Sequence, residues 1–438
     1  MKTLAGLKVW AHTLGCRSNQ YDTDAMVEML EGEGCQTVHT PEEADILIVN
    51  TCTVTAEADR KSRQLLRRCA GPGKIVVAAG CLAQRAGASL AEIPGVKVVV
   101  GTASRTELKQ KLLALLETDE PQTEVAALTR KEAYEPLRVS HATERIRMNL
   151  KVQEGCDRFC TYCMIPYVRG GLRSRPLDEA VREAQTLVAA GVPELVLTGI
   201  HLASYGKDWG GSPALIDLLE ALNGVPGLLR IRMGSLEPSL LTEDFCARLA
   251  KLPRVCPHVH ISLQAGCDKT LRRMNRRYTC EAFRGYVNNL RIAIPGVTVS
   301  TDMIVGFPGE TEADFEESLA FAEEIAFDTI HVFPFSPRTG TPAAKMDGAV
   351  PKAEKTRRAH CLGEAARRLE AASLARRVGE TLEVLIEETD GEGCGNGFSP
   401  EYLHVRCPAT EDEVGKIVSV TVTEAQAHHL LGRRPGKE

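Results

Sequence analysis

Four apolar runs in the first hundred residues decide what this chain can fold into. KVWAHTLG (8–15), DILIVNT (45–51), KIVVAAG (74–80) and KVVVG (97–101), with a weaker run near Cys35–His39, are dominated by apolar residues and do not alternate strictly with polar ones. Amphipathic helical patterns at 22–34 and 56–70 separate them. Strands that are apolar on both faces, each followed by a helix, belong to a parallel sheet covered on both sides. Three of the runs lead directly into a cysteine: TLG-Cys16, VNT-Cys52 and AAG-Cys81. Ligands of open α/β sheets bind beyond the carboxyl ends of the strands, so thiols far apart in sequence can converge there. Gly15 and Gly80 precede two of them and let the backbone turn tightly. Free cysteine is also a common core residue, but none of these three sits mid-strand.

A second β/α series follows, with strands at NLKVQEG (149–155), ELVLTGI (194–200), LRIRMGSLE (229–237), HVHISLQAG (258–266), TVSTDMIVGF (298–307) and TIHVFPF (329–335). Six strands with intervening helices suit an incomplete (β/α)6 barrel. After a charged helix at 352–377, the pieces ETLEVLIEE, YLHVRC and GKIVSVTVTEA are separated by turn signals such as DGEGCGNG. They predict a small β-barrel of the oligonucleotide-binding type. The expected α/β architecture is therefore a parallel-sheet domain over 1–118, a charged linker over 119–141, a barrel over 142–372 and a small β-barrel over 373–438.

The first barrel strand runs into CDRFCTYC, which spaces Cys156, Cys160 and Cys163 as C-x3-C-x2-C. One short loop at the C-terminal mouth of a barrel, where barrel chemistry is placed, can wrap three thiolates around one inorganic cluster. Three thiolates on a four-iron cluster leave one iron open, and an open iron can chelate the amino and carboxylate groups of S-adenosylmethionine (SAM). A zinc knuckle needs four closed ligands, and no fourth Cys or His follows at a usual spacing. Cys16, Cys52 and Cys81 form a second set of three with the same vacancy.

Composition bounds the rest. Fifteen cysteines occur in a chain whose N-terminus carries no cleavable signal pattern and which has no apolar run of membrane-spanning length. These features fit a cytoplasmic, reducing setting where disulfides are rare. Cys35, Cys69, Cys246, Cys256, Cys267, Cys280, Cys361, Cys394 and Cys407 lack ligand spacing and read as ordinary thiols. His258 and His260 read as structural, and His428 and His429 as surface residues. A net charge of −5 forces no basic surface but allows a local one.

HTLGCRSNQYDTDA (12–25), IVNTCTVTAEADRKSRQ (48–64), AAGCLAQ (78–84), QEGCDRFCTYCMIPYVRG (153–170), LTGIHLASYG (197–206), HISLQAGCDKTLRRMNRRYT (260–279) and DMIVGFPGETEADF (302–315) together resemble the radical SAM methylthiotransferases, nearly end to end. HVFPFSPRTGTPAAKM (331–346) is similar to the branch acting on threonylcarbamoyladenosine in tRNA, and RTGTPA (338–343) fits it better than the isopentenyladenosine branch. Arg17 and Ser18 depart from the Lys-Val expected after the first cysteine, and MGSLEP departs from the usual Ser-Ser pair.

The resemblance implies two 4Fe-4S clusters, with one SAM methylating a sulfur at the Cys16/Cys52/Cys81 cluster. A second SAM at the Cys156/Cys160/Cys163 cluster yields a 5′-deoxyadenosyl radical that takes hydrogen from adenine C2. It also implies a C-terminal TRAM domain, a tRNA anticodon stem-loop as partner, a sulfur donor, and a reductant such as flavodoxin or ferredoxin. Tyr162, Gly199, Glu237 and Gln264 are candidate SAM contacts. Arg272, Arg273, Arg276 and Arg277, at i, i+1, i+4 and i+5, would make one cationic helix face for RNA phosphates. Arg169, Arg173 and Arg175 near the barrel mouth, and Lys61, Arg63, Arg67 and Arg68 on an N-terminal helix, are further candidates. The last domain carries more acidic than basic residues, which is unusual for a module that grips RNA. Two other classes stay open: methylthiolation of an aspartate in a ribosomal protein, and an Fe–S electron-transfer protein.

Overall fold

Every residue of Ile46–Thr51 is buried, the condition of a central strand covered by helices on both faces. In the computed structural model, which describes residues 3–129, 132–141 and 145–435, this strand is β3 of a parallel sheet ordered β2-β1-β3-β4-β5. Its other members are β1 (Lys8–Thr13), β2 (Gln36–Thr37), β4 (Ile75–Gly80) and β5 (Val96–Val100). Alternate residues feed two cores. Ile46 and Ile48 pack with Met26 of α1 (Arg17–Glu31) and Leu112 of α4 (Leu108–Thr118). Leu47 and Val49 pack with Leu66 of α2 (Ala56–Cys69) and Leu82 of α3 (Cys81–Ala91). Helix α1 begins at Arg17, earlier than the pattern at 22–34 predicts, because its first turns bury Ser18, Asn19, Asp22 and Thr23 and so show no apolar stripe.

The central strands are β6 (Arg147–Glu154), β8 (Glu194–Gly199), β9 (Arg230–Met233), β10 (His258–His260), β11 (Thr298–Val305) and β12 (Thr329–Pro334), with the short β7 (Arg173–Ser174) antiparallel to β6. Parallel ladders join β6, β8 and β9 on one side and β10, β11 and β12 on the other. Single bridges Ile231↔Val255 and Leu236↔Ile261 connect the halves, completing an open barrel of six parallel strands. Its helices are α5 (Ile165–Arg169), α6 (Leu177–Ala189), α7 (Leu215–Asn223), α8 (Glu243–Leu249), α9 (Asp268–Arg273), α10 (Cys280–Ala293) and α11 (Glu312–Ile325). The ladder of β10 stops at His260, short of the expected residue 266, and Gln264 adopts left-handed backbone, φ 73°.

Helix α12 (Lys352–Ala375) leads to a closed barrel of β13 (Thr381–Thr389), β14 (Cys394–Phe398), β15 (His404–Pro408), β16 (Ile417–Ala425) and β17 (Leu430–Arg433). The loop after β14 seats on the N-terminal ends of the central strands. Arg230 donates to the carbonyls of Phe398 and Glu383, Arg232 to those of Ser399 and Pro400, and Thr298 to that of Glu401.

The stretch 119–141 contains no helix or strand among its described residues, yet it is not slack. Gln122 bridges to Val98 at the sheet edge, Leu137 and Val139 are buried, and the Tyr134 hydroxyl donates to the Lys151 carbonyl. The boundary expected at 142 lies outside the described residues. Among those residues no helix is long and apolar enough to cross a membrane.

Candidate active site

Cys16, Cys52 and Cys81 stand at the carboxyl ends of β1, β3 and β4, on one edge of the sheet. The two glycines are needed there. Gly15 has φ +104°, and a Cβ on it would lie 2.9 Å from the Cys52 Sγ; Gly80 has φ +91°, and a Cβ on it would lie 2.7 Å from the Thr51 carbonyl oxygen. Asn19 ties the loops together by donating to the carbonyls of Leu14 (2.8 Å) and Thr51 (3.0 Å). Cys16 stands at the N-cap of α1 and Cys81 opens α3; burial pushes the Cys81 thiol up, with the Arg169 guanidinium opposing it. Burial, reinforced by Cys81 and Cys16, also pushes the Cys52 thiol up to about 11.

Cys156, Cys160 and Cys163 occupy the loop between β6 and α5. Gly155 reverses the chain at φ +73°, with the Gly171 carbonyl so close that any Cβ would collide with it at 1.7 Å. The turn closes through Cys163 N–H to the Cys160 carbonyl, 2.9 Å. The segment after α9 clamps the loop: Asn275 donates to the Arg158 and Phe159 carbonyls, the Thr161 N–H donates to that of Met274, and Arg276 Nη1 donates to Cys160 Sγ at 3.4 Å. Burial pushes the thiols of Cys156 and Cys163 up to about 11 and about 12. Thiols held protonated in this way release their protons when a metal binds.

The donor sets fit clusters better than single ions. Around one tetrahedral zinc, sulfurs 2.3 Å from the metal lie roughly 3.8 Å apart. Among the described residues, only His260, Asp302 and His331 form a trio whose ligating atoms all fall within 4.8 Å of one another. Neither cysteine trio closes that tightly, whereas a four-iron cube holds its thiolates further apart, and three donors each leave one iron without a protein ligand.

Arg169, six residues past the last barrel cysteine, ties the Cys81 thiol to the strand that leads into the barrel cysteines. Its Nε donates to Cys81 Sγ at 3.1 Å, its Nη1 pairs with Glu154 at 2.8 Å and Asp22 at 3.1 Å, and its Nη2 donates to Asn19 Oδ1. Lys151 pairs with Asp22 (2.6 Å) and Glu154 (2.5 Å), and Arg105 with Asp22 (2.9 Å), Glu154 (3.2 Å) and Glu135. Burial opposes ionisation of Asp22 and Glu154, yet the three cations hold both carboxyls below their ordinary values. The network draws on α1, β6, α5, the turn before α4 and the 119–141 stretch, and so joins sheet to barrel.

This corrects two expectations about cations. Arg169, Arg173 and Arg175 are not phosphate contacts: all are buried, Arg173 paired with Glu132 and Arg175 with Glu183. Arg272, Arg273, Arg276 and Arg277 do not share one helix face either. Helix α9 ends at Arg273, and Asn275 takes left-handed backbone, φ 60°, with Asn275 N–H bonded to the Arg272 carbonyl and Arg276 N–H to that of Leu271. That is a Schellman termination. It turns Arg276 inward onto Cys160 and Tyr278, while Arg273 donates to the Pro308 and Asp347 carbonyls. Arg272 and Arg277 remain exposed, as do Lys61, Arg67 and Arg68 on α2, whereas Arg63 donates to Ser89.

Of the candidate SAM contacts, Tyr162 packs edge-on to Phe307 (centroids 6.3 Å apart), and Gly199 lies so close to Gln153 that a Cβ would fall 2.9 Å from the Gln153 Cβ. Glu237 is buried and accepts from Ser239, and Gln264 bridges to Met303. Phe159 and Tyr167 were not anticipated. Their exposed rings pack edge to face, 5.7 Å apart, beside the barrel cysteines, a surface on which a base can stack.

Three family models match the chain: Uncharacterized protein family UPF0004 over residues 8–101, the Radical SAM superfamily over 150–322, and the TRAM domain over 375–433. The chain is 40% identical, over 94% of its length and 93% of the relative's, to "Threonylcarbamoyladenosine tRNA methylthiotransferase MtaB" of Bacillus subtilis. It is 35% identical over 96% of both chains to "tRNA-2-methylthio-N(6)-dimethylallyladenosine synthase" of Moorella thermoacetica. It is 36% identical over 99% of both to "Ribosomal protein uS12 methylthiotransferase RimO" of Desulfitobacterium hafniense. Among solved structures, the radical S-adenosylmethionine methyltransferase TsrM from Kitasatospora setae shares the fold with a TM-score of 0.57 at 16% identity, over 77% of each chain.

Proposed function

Because the chain belongs to the radical SAM methylthiotransferases, we propose that it methylthiolates C2 of N6-threonylcarbamoyladenosine beside the tRNA anticodon. The observation that carries this reading is a buried arginine that donates to Cys81 and pairs with Glu154, two residues before the barrel cysteines: sulfur delivery and hydrogen removal at one carbon require two centres held in one rigid frame. Support for the substrate comes from the relative named for threonylcarbamoyladenosine, at 40% identity against 35% for the dimethylallyl relative.

Cys156, Cys160 and Cys163 would hold the cluster that binds SAM, and Cys16, Cys52 and Cys81 a second one. The chemistry these groups supply when bound is homolytic, removing hydrogen from an aromatic carbon that no side-chain base could deprotonate and delivering a methylthio group to it. The protein's task is to bind and orient them. Arg276 and Arg169 each donate to one ligand sulfur, fixing its orientation and stabilising its thiolate charge. Tyr162, Gly199, Glu237 and Gln264 line the SAM side, and Arg272 and Arg277 meet RNA phosphates. A low-potential reductant such as flavodoxin or ferredoxin and a sulfur donor complete the system.

Mass spectrometry of nucleosides from tRNA of a strain lacking this gene tests the proposal. Loss of 2-methylthio-N6-threonylcarbamoyladenosine is the expected result. Its persistence, or loss of the isopentenyl nucleoside instead, would overturn the substrate.

A further inference from the structure

Three adjacent strands of the central barrel carry a cluster of polar side chains. Strands β10, β11 and β12 set His260, Asp302 and His331 side by side, Asp302 in register with His331, and His260 with Ser300, two residues before Asp302. Nε2 of His260 lies 3.3 Å from Oδ2 of Asp302, and the His260 and His331 rings stack with centroids 5.8 Å apart. His331 is exposed, and Nδ1 of His260 shares a hydrogen bond with Ser300 Oγ at 3.0 Å, so its Nε2 faces the Asp302 carboxylate.

Contacts lead from the strand of His260 towards a cysteine of each set. Ser262 is one pleat repeat, roughly 7 Å, above His260, and its carbonyl accepts from Arg276, which also donates to Cys160. His258 is one repeat below, with its ring centroid 5.0 Å from that of Tyr402. The Tyr402 hydroxyl accepts from Nη2 of Arg17 at 3.1 Å, and Arg17 directly follows Cys16. No carboxylate lies within ion-pair distance of Arg17 among the described residues, and its side chain is exposed. Burial foremost, then the charges of Arg232, His260, Arg17 and His331, holds His258 well below its ordinary value.

We propose that this cluster, with Arg17, is a carboxylate-recognising subsite in which Arg17 and His331 receive the threonyl carboxylate of the N6 substituent, while His260 and Asp302 meet its hydroxyl and urea groups. The inference rests on the substrate proposed above and deepens it. An always-charged guanidinium favours an anionic occupant over a metal ion on the histidines. It also supplies discrimination, because an apolar isopentenyl group would bury these groups unpaired, and sites built to hydrogen-bond a substrate reject analogues that cannot reciprocate. Tyr402 acts as a positioning residue, anchoring Arg17 from the C-terminal barrel.

Fluorescence anisotropy with the full-length protein, without SAM, tests this on three synthetic anticodon stem-loops. They carry N6-threonylcarbamoyladenosine, its uncharged threoninamide analogue, or isopentenyladenosine. The acid should bind about tenfold or more tighter than the amide, the scale of a hydrogen bond to a charged group. Arg17→Gln should erase the difference, Arg17→Lys should keep part of it, and His331→Ala should narrow it. Equal binding of acid and amide by the unaltered protein, or a difference that survives Arg17→Gln, overturns the subsite. So does a difference that vanishes with EDTA, which would assign the histidines to a metal. Reconstituted enzyme that modifies acid and amide RNA at equal rates leaves the substrate standing and removes the subsite. Enzyme that modifies only the isopentenyl RNA removes the substrate itself.

Discussion

Arg169 Nε donates to Cys81 Sγ across 3.1 Å, although the arginine ends α5 in the barrel and the thiol opens α3 in the N-terminal sheet. Arg169→Met should leave Asp22 and Glu154 short of a buried cation and cost about 3–5 kcal/mol, the scale for breaking a buried ion pair. Urea denaturation measures it, and Arg169→Lys, which keeps the charge, should recover part of the loss.

The same network makes a pH prediction. Burial raises the Asp22 and Glu154 carboxyls, but Arg169, Lys151 and Arg105 bring them below the ordinary 3.8 and 4.5. A carboxyl with a depressed folded value contributes stability that is complete above its unfolded value and lost as pH falls through the folded one. Stability should therefore decline below about pH 4.5, and Asp22→Asn should flatten that acid limb in denaturation series.

The two trios should separate by iron content. Cys156→Ala should abolish reductive SAM cleavage, while Cys81→Ala should leave cleavage intact and abolish methylthiolation. Each variant should hold about half the iron of the unaltered protein after anaerobic reconstitution, and full iron in either would remove that trio as a cluster site.

RNA binding tests how α9 ends. Arg272→Gln and Arg277→Gln should each lower the slope of log affinity against log salt by about one phosphate contact. Arg276→Gln should leave that slope unchanged and alter the electron paramagnetic resonance signal of the barrel cluster, because its guanidinium is turned onto Cys160.

What could be read in advance follows physical rules. The strands are legible because a parallel sheet buried on both faces requires apolar runs, and both cysteine trios because each thiol sits where such a run or its loop begins to turn. The start of α1 is not, since Asn19 and Asp22 are buried polar residues that leave no apolar period. A paired, buried Arg169 and a solvated arginine look identical in one dimension. Spacing alone places Arg276 on a cationic face, and only the left-handed Asn275 reverses it. His260, Asp302 and His331 come from three strands, so no local motif announces them.

The Phe398–Tyr402 loop gives the C-terminal barrel a duty besides any hold on RNA. Its backbone carbonyls, gripped by Arg230 and Arg232, cover the N-terminal ends of central strands, opposite the cysteine-lined mouth. A chain stopped before β13 would strip Arg230 and Arg232 of those acceptors, and its loss of activity would say little about RNA affinity.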